Sequence, residues 1–170
     1  MRTAWDTFQK LYKTSKEFRD AWEEDIVLSD DNYVQEAFKL VEKVDKEKLD
    51  ETRASLRDIV FYEDNNHCYV EDFILDIENG KLQEKILRDM KLLDDVGPNA
   101  EMPLSRHIKD GIFELRTKQG SNATRIFYFF FHGSKIIMTN GYVKKRQDLD
   151  TNEFELAQKR QNDYLNRSKR

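Results

Sequence analysis

Apolar residues in the first part of the chain recur at helical steps. Trp5, Phe8, Leu11, Tyr12, Phe18 and Trp22 fall three or four positions apart or at multiples of that spacing, which predicts one amphipathic helix over 4–24. The polar cluster Ser29–Asn32 reads as a stop followed by an N-cap, and a second helix is expected from about 32. Its stripe is Val34, Phe38, Val41 and Leu49, and it extends toward Arg57. No Gly or Pro interrupts residues 1–57. Two helices alone bury too little to be stable, so these stripes must pack on the following domain or, in a homodimer, on a second chain.

The texture changes at Ile59. Ile59–Tyr62 is a short β-prone run, and Glu63–Asn66 is a turn cluster. Val70, Phe73, Ile74 and Ile77 mark a helix over 69–79, ended by Asn79-Gly80. Leu82, Ile86, Met90 and Leu93 mark another over 81–96, ended by Gly97-Pro98. Three strand candidates follow, Gly111–Arg116, Thr124–His132 and Lys135–Val143, the last two joined by a turn at His132-Gly133-Ser134. Asp150, with Glu153 three residues on, opens a closing helix whose apolar positions are Phe154, Leu156, Ala157, Tyr164 and Leu165. From residue 58 the expected order is β-α-α-β-β-β-α, an α+β fold.

A chain of 170 residues with 38% hydrophobic content can build one core and a small second module. No stretch approaches a membrane span or a signal peptide's apolar region, so a cytoplasmic protein without membrane association is expected. The single cysteine, Cys68, excludes an internal disulfide and any CxxC site. The net charge of −4 conceals an asymmetry. Residues 1–55 carry 10 Lys/Arg against 14 Asp/Glu, residues 56–100 carry 5 against 11, and residues 101–170 carry 14 against 8. A basic end on an acidic chain suits a polyanion, although the halves could neutralise each other or the excess could be ordinary surface. Arg116 ends one strand and Arg125 opens the next, so a hairpin through Lys118–Asn122 brings them together. Lys144-Lys145-Arg146 follows the last strand.

These pieces carry a family resemblance. Leu104–Arg116 (LSRHIKDGIFELR), Arg125–Phe130 (RIFYFF), Ile136–Lys145 (IIMTNGYVKK) and the helix from Asn152 through Ala157, Arg160 and Tyr164 occur in order at matching spacing. Together they resemble HigB-like toxins, in the phage-derived branch of the RelE/ParE superfamily, over about 58–170. Tyr142 stands where many relatives have Phe, and Asp150-Thr151-Asn152 replaces a customary Pro. Residues 1–57 lie outside the family's span. Their Ser15–Glu24 segment is faintly similar to the N-terminus of some partner antitoxins, so a native extension and an antidote held in cis are both open.

The resemblance implies a type II toxin that cleaves mRNA on the ribosome without metal or other cofactor and is restrained by a cognate antitoxin. RNA supplies its own nucleophile, the 2′-OH. The protein must align that oxygen, neutralise the transition state and assist proton transfer. Arg116, Arg125, Lys144 and Lys145 are the catalytic candidates, because guanidinium forks match phosphate and an ammonium can stabilise charge or move a proton. Lys109, Tyr142, Arg146 and His107 are the candidate RNA contacts. His67 and His132 read as ordinary surface residues, and Tyr128 as packing. No Gly-rich phosphate loop, nucleophile elbow or Cys/His pair occurs, and Asp110 and Glu114 are too few acids for a two-metal site. A ParE-like gyrase inhibitor that cuts nothing, and a non-catalytic module held by its N-terminal helices, are the rival readings.

Overall fold

A computed structural model describes residues 1–28, 50–54, 56, 58–133 and 135–170. Of the helix expected from about residue 32 toward Arg57, residues 50–54 and 56 are described and are helical; the remainder, and Ser134 of the expected turn, lie outside the described residues. Helix α1 (Ala4–Thr14) opens with a reciprocal capping box between Thr3 and Asp6. Helix α2 (Lys16–Leu28) follows after a single residue. The one helix expected over 4–24 is therefore two. Ser15 adopts extended angles and its Oγ accepts a hydrogen bond from Phe18 N at 3.1 Å, so it serves as a cap within the stripe. The break folds Phe18 and Trp22 back onto Phe8, with ring centroids 5.7 and 4.7 Å away.

Strand β1 (Ile59–Phe61) precedes a minimal hairpin of β2 (Glu63–Asp64) and β3 (His67–Cys68), whose turn residues Asn65 and Asn66 have positive φ. Helix α3 (Tyr69–Leu75) is shorter than expected. Asn79 does not end it; its side chain accepts from Lys81 N and Leu82 N and caps α4 (Gly80–Val96). Gly97, at φ 66°, closes α4 as expected. Strands β4 (Ser105–Lys109), β5 (Ile112–Gln119), β6 (Asn122–Phe131) and β7 (Lys135–Val143) lead to α5 (Thr151–Ser168), with Asp150 Oδ1 accepting from Glu153 N at 3.1 Å. Strand β4 was not expected. It pairs with β5 through a two-residue turn, Asp110-Gly111, in which both φ angles are positive.

The five-stranded sheet runs β1-β7-β6-β5-β4, with β1 parallel to β7 and every other pair antiparallel. The molecule is thus a mixed-sheet α+β protein. Alternation along β6 divides its aromatic run between two layers. Ile126 and Tyr128 join the large core with Trp5, Phe8, Phe18, Trp22, Ile86 and Met90, so α1, α2, α3 and α4 cover one face. Phe127 packs with Phe154 and Ala157, and Phe129 with Tyr164, so α5 covers the other. The chain's first residues also bind the sheet edge. Phe61 N donates to Arg2 O at 2.8 Å, and Thr3 bridges Val60.

One irregularity positions the candidate site. Phe127 pairs with Asn140 but Tyr128 with Met138, leaving Thr139 as an extra residue in β7. Such a bulge reverses the side-chain alternation, and it turns Asn140 and Tyr142 toward the α5 face. Gly141, between them, faces the helical layer. A Cβ there would lie 2.5 Å from Phe73 Cδ1 and 3.0 Å from Ile126 Cγ1. Gly141→Ala should therefore destabilise by about 1–3 kcal/mol through overpacking. A thermal melt indistinguishable from wild type would show that Phe73 yields freely.

Asp94 supplies a pH signature. Burial, aided by the nearby carboxylates of Asp58 and Asp95 and opposed by Lys91, pushes its carboxyl up to about 6 from an ordinary 3.8. The folded state then holds this proton more tightly than the unfolded state, so stability falls as pH rises from about 4 to about 6. Asp94→Asn should stabilise by roughly 1 kcal/mol at neutral pH, and the gain should vanish below about pH 4. Denaturant titrations at both ends of that window check it. A gain that persists unchanged in acid would rule out the linkage.

Candidate active site

Arg116 and Arg125 are direct cross-strand partners on β5 and β6. Opposite residues share a face and stand roughly 5 Å apart at Cβ. Tyr142 opposes Arg125 from β7, and Phe127, on the same face as Arg125, packs against Phe154 of α5. The two arginines therefore lie on the α5 face of the sheet, beside the start of that helix. Asn140 fixes the helix start by donating to Glu153 O at 3.0 Å and Glu153 Oε2 at 2.8 Å.

Like charges placed opposite one another repel, and here an acid lies between them. Glu114 is fully buried. Its Oε1 lies 3.1 Å from Arg116 Nη1, 3.3 Å from Arg106 Nε and 3.8 Å from Arg125 Nε. One carboxylate thus faces three guanidiniums, and the cluster keeps a positive excess. The pairing of Arg116 with Glu114 that a purely structural role would need is present, but it leaves most of the charge uncompensated. Arg125 is the most enclosed of the three, at 8% exposure, and donates to Thr124 O at 2.9 Å. Burial lowers its pKa, and the neighbouring Arg116 lowers it further against the pull of Glu114.

Lys144 is brought to the rim. Its backbone N–H donates to Ala123 O at 2.8 Å and its Nζ to Asp148 O at 2.9 Å. Burial depresses its pKa, Glu114 opposes that shift, and the arginines reinforce it. Tyr142 is half-buried, and burial raises its phenol. Lys145 and Arg146 are exposed in the following loop, and Lys109 is exposed at the turn end of β4. His107 is not brought to the cluster. It packs edge-on against Phe113, whose ring stacks on Tyr128 in the helical layer. Tyr128 is wholly buried, shares a hydrogen bond with Ser105, and has its hydroxyl pushed up to about 12 by burial. At the sheet edge Arg116 and Arg125 also border a groove of about 340 Å³ whose lining includes Lys85, Asp89 and Leu92 of α4, so this groove reaches the helical layer and is not confined to the α5 face. Among the described residues no three His, Cys, Asp or Glu side chains gather as metal ligands would.

Arg106 is the member that sequence reasoning missed. Asp110-Gly111, a strong signal for a two-residue hairpin, would have revealed β4 and set Arg106 opposite Glu114.

Fold and site together define a small α+β protein that presents a cationic cluster, anchored on a buried acid, at one end of a mixed sheet. The sequence model of the family described as phage-derived protein Gp49-like (DUF891) matches residues 75–162. That is more than half of the chain, and the protein belongs to this family, which is associated with toxin–antitoxin modules. Comparison with curated proteins gives no match. Among the described residues no helix is long and apolar enough to cross a membrane.

Proposed function

We propose that the protein is the toxin of a type II toxin–antitoxin system, a HigB-like member of the RelE/ParE superfamily that cleaves mRNA on the ribosome. The observation that carries this reading is the positive excess left by three guanidiniums around one buried carboxylate, with Arg116 and Arg125 side by side on one face. A scissile phosphodiester supplies the missing negative charge. Arg116 and Arg125 hold its non-bridging oxygens through paired N–H donors, which position the phosphorus and stabilise the phosphorane-like transition state. The neighbouring 2′-OH attacks in line as its proton passes to water, the P–O5′ bond breaks, and the products end in a 2′,3′-cyclic phosphate and a 5′-OH.

Lys144 stands at the rim with its pKa depressed, suited to donate a proton to the leaving 5′ oxygen or to stabilise its charge. Lys145, Arg146 and Lys109, all exposed, provide phosphate contacts along the strand, and Tyr142 borders the site beside Arg125. His107, on the other sheet face, takes no part in this arrangement. The chemistry resides in residues 58–170, with 1–57 as an N-terminal helical module. A cognate antitoxin and the mRNA-bearing ribosome are the partners.

The test is to incubate the full chain with mRNA-programmed ribosomes in the presence of EDTA and identify the new ends. Fragments carrying 5′-OH and cyclic phosphate are expected. Fragments with 5′-phosphate ends, or cutting abolished by the chelator, would refute the mechanism.

A further inference from the structure

Three guanidiniums converging on one buried acid require an explanation that a simple ion pair does not give. A buried carboxylate needs compensation, and one well-placed arginine provides it. Here Glu114 Oε1 accepts a hydrogen bond from Arg116 Nη1 at 3.1 Å, and Arg106 Nε and Arg125 Nε stand 3.3 and 3.8 Å from it as ion-pair partners. Exposure is graded outward from it. Glu114 is at 0%, and the side chains of Arg125, Arg116 and Arg106 are at 9%, 24% and 45%. The acid therefore forms a floor and the guanidiniums a layer above it. Strand register explains the placement. Arg106 pairs directly with Glu114, Arg116 lies two residues along the same strand, and Arg125 pairs with Arg116.

We infer that Glu114 is a resident counter-ion that holds Arg106, Arg116 and Arg125 as one phosphate-binding layer, and that Arg106 is a third phosphate ligand of this site. The inference rests on the reading that RNA binds here. Without a counter-ion, three like charges at this spacing would splay apart, and each binding event would have to gather them again. With Glu114 beneath, their N–H groups are organised before RNA arrives, and the cost of ordering them is met in folding. Being wholly buried, Glu114 does not touch the phosphate. It is a positioning residue, whereas the half-exposed Arg106 makes contact from the edge strand.

The two roles separate experimentally in the full-length protein, with a short single-stranded RNA blocked by 2′-O-methyl groups as the binding probe and programmed ribosomes as the cleavage substrate. Arg106→Ala should weaken binding of the blocked RNA about tenfold and reduce the salt slope by about one ion. Arg106→Lys should restore the slope while cleavage stays low, because the point charge replaces the fork only in part. Glu114→Gln keeps the shape and removes a negative charge, so the added net charge offsets the cost of gathering the guanidiniums and binding should change little. Its cleavage rate at saturating protein should fall at least about tenfold.

A folded Glu114→Gln protein that cleaves at the wild-type rate would overturn the inference, as would one that loses binding and cleavage together. So would Arg106→Ala with unchanged affinity and slope. If Glu114→Gln does not fold, the two Arg106 variants decide. Should the wild-type protein bind the blocked RNA and cut nothing, the nuclease reading fails, and the Arg106 binding arm still judges this one.

Discussion

Replacing Arg125 with Ala should reduce ribosome-dependent mRNA cleavage by about a hundredfold to a thousandfold, the usual loss when one preorganised donor is taken from a charge-stabilising site. The effect should be chemical rather than structural. Glu114 keeps Arg106 and Arg116 as partners after the substitution, so no buried acid is stranded. The protein should fold and melt close to wild type, with a modest loss from the cavity left by a side chain only 9% exposed. Arg125→Lys should fall between the two, since it keeps a charge but cannot donate a parallel pair of hydrogen bonds. Cleavage rates and melting curves measured together settle the matter. Full activity in a folded Arg125→Ala protein would remove the residue from the site.

The second large effect concerns the N-terminal helices. Trp5, Phe8, Leu11, Phe18 and Trp22 are all buried in the same core as Ile86, Met90 and Tyr128. Burial of each large side chain contributes about 2 kcal/mol. Five of them together rival the whole net stability of an ordinary domain, roughly 5–15 kcal/mol. Removing residues 1–57 also strips Glu71, 1% exposed, of Arg2 at 2.9 Å, Lys10 at 2.8 Å and Thr7 at 3.2 Å. An uncompensated buried carboxylate would remain. The 58–170 fragment should therefore lack a cooperative melt. Phe8→Ala alone should cost about 3–5 kcal/mol and lower the Tm by roughly 10 °C. A fragment that folds cooperatively would show that the helices are an appendage. The same geometry bears on an antidote held in cis: α1 and α2 pack on the helical layer, across the sheet from Glu114 and Arg125.

Much of this architecture is legible in the chain because its signals are redundant. The stripe Leu82, Ile86, Met90 and Leu93 is buried throughout, and Gly97-Pro98 closes it with a stop that only glycine accommodates easily. Asp150 and Glu153 place the start of α5 to the residue. Elements are missed where signals conflict or are thin. Ser15 sits inside an unbroken apolar stripe, and periodicity alone cannot tell that its hydroxyl takes Phe18 N–H. Strand β4 has one inward-packed apolar residue, Ile108, in five, because an edge strand is half solvated. With β4 goes Arg106, and with Arg106 the recognition that Glu114 is the centre of the cluster rather than a surface acid. Asn79-Gly80 illustrates a different ambiguity. The same dipeptide suits the end of one helix and the start of the next, and tertiary contact decides, because Gly80 N donates to Glu17 Oε2 at 3.0 Å.

The fold brings Arg116 and Arg125 to one face because register and parity leave no other choice. Arg125 meets Tyr142 only because the extra residue at Thr139 shifts the alternation. That shift is set by the pairing of β6 with β7 and no local window of sequence shows it, whereas the pairing of Arg116 with Arg125 follows from the short hairpin legible in the chain.

The most direct test is to induce the full-length chain in cells and map mRNA 5′ ends across the transcriptome, with Arg125→Ala as the control. Within minutes of growth arrest, new 5′-OH ends should accumulate inside translated regions with the wild-type chain and be absent with the variant. Arrest with intact transcripts and stalled replication would contradict cleavage and point instead to a gyrase-directed toxin.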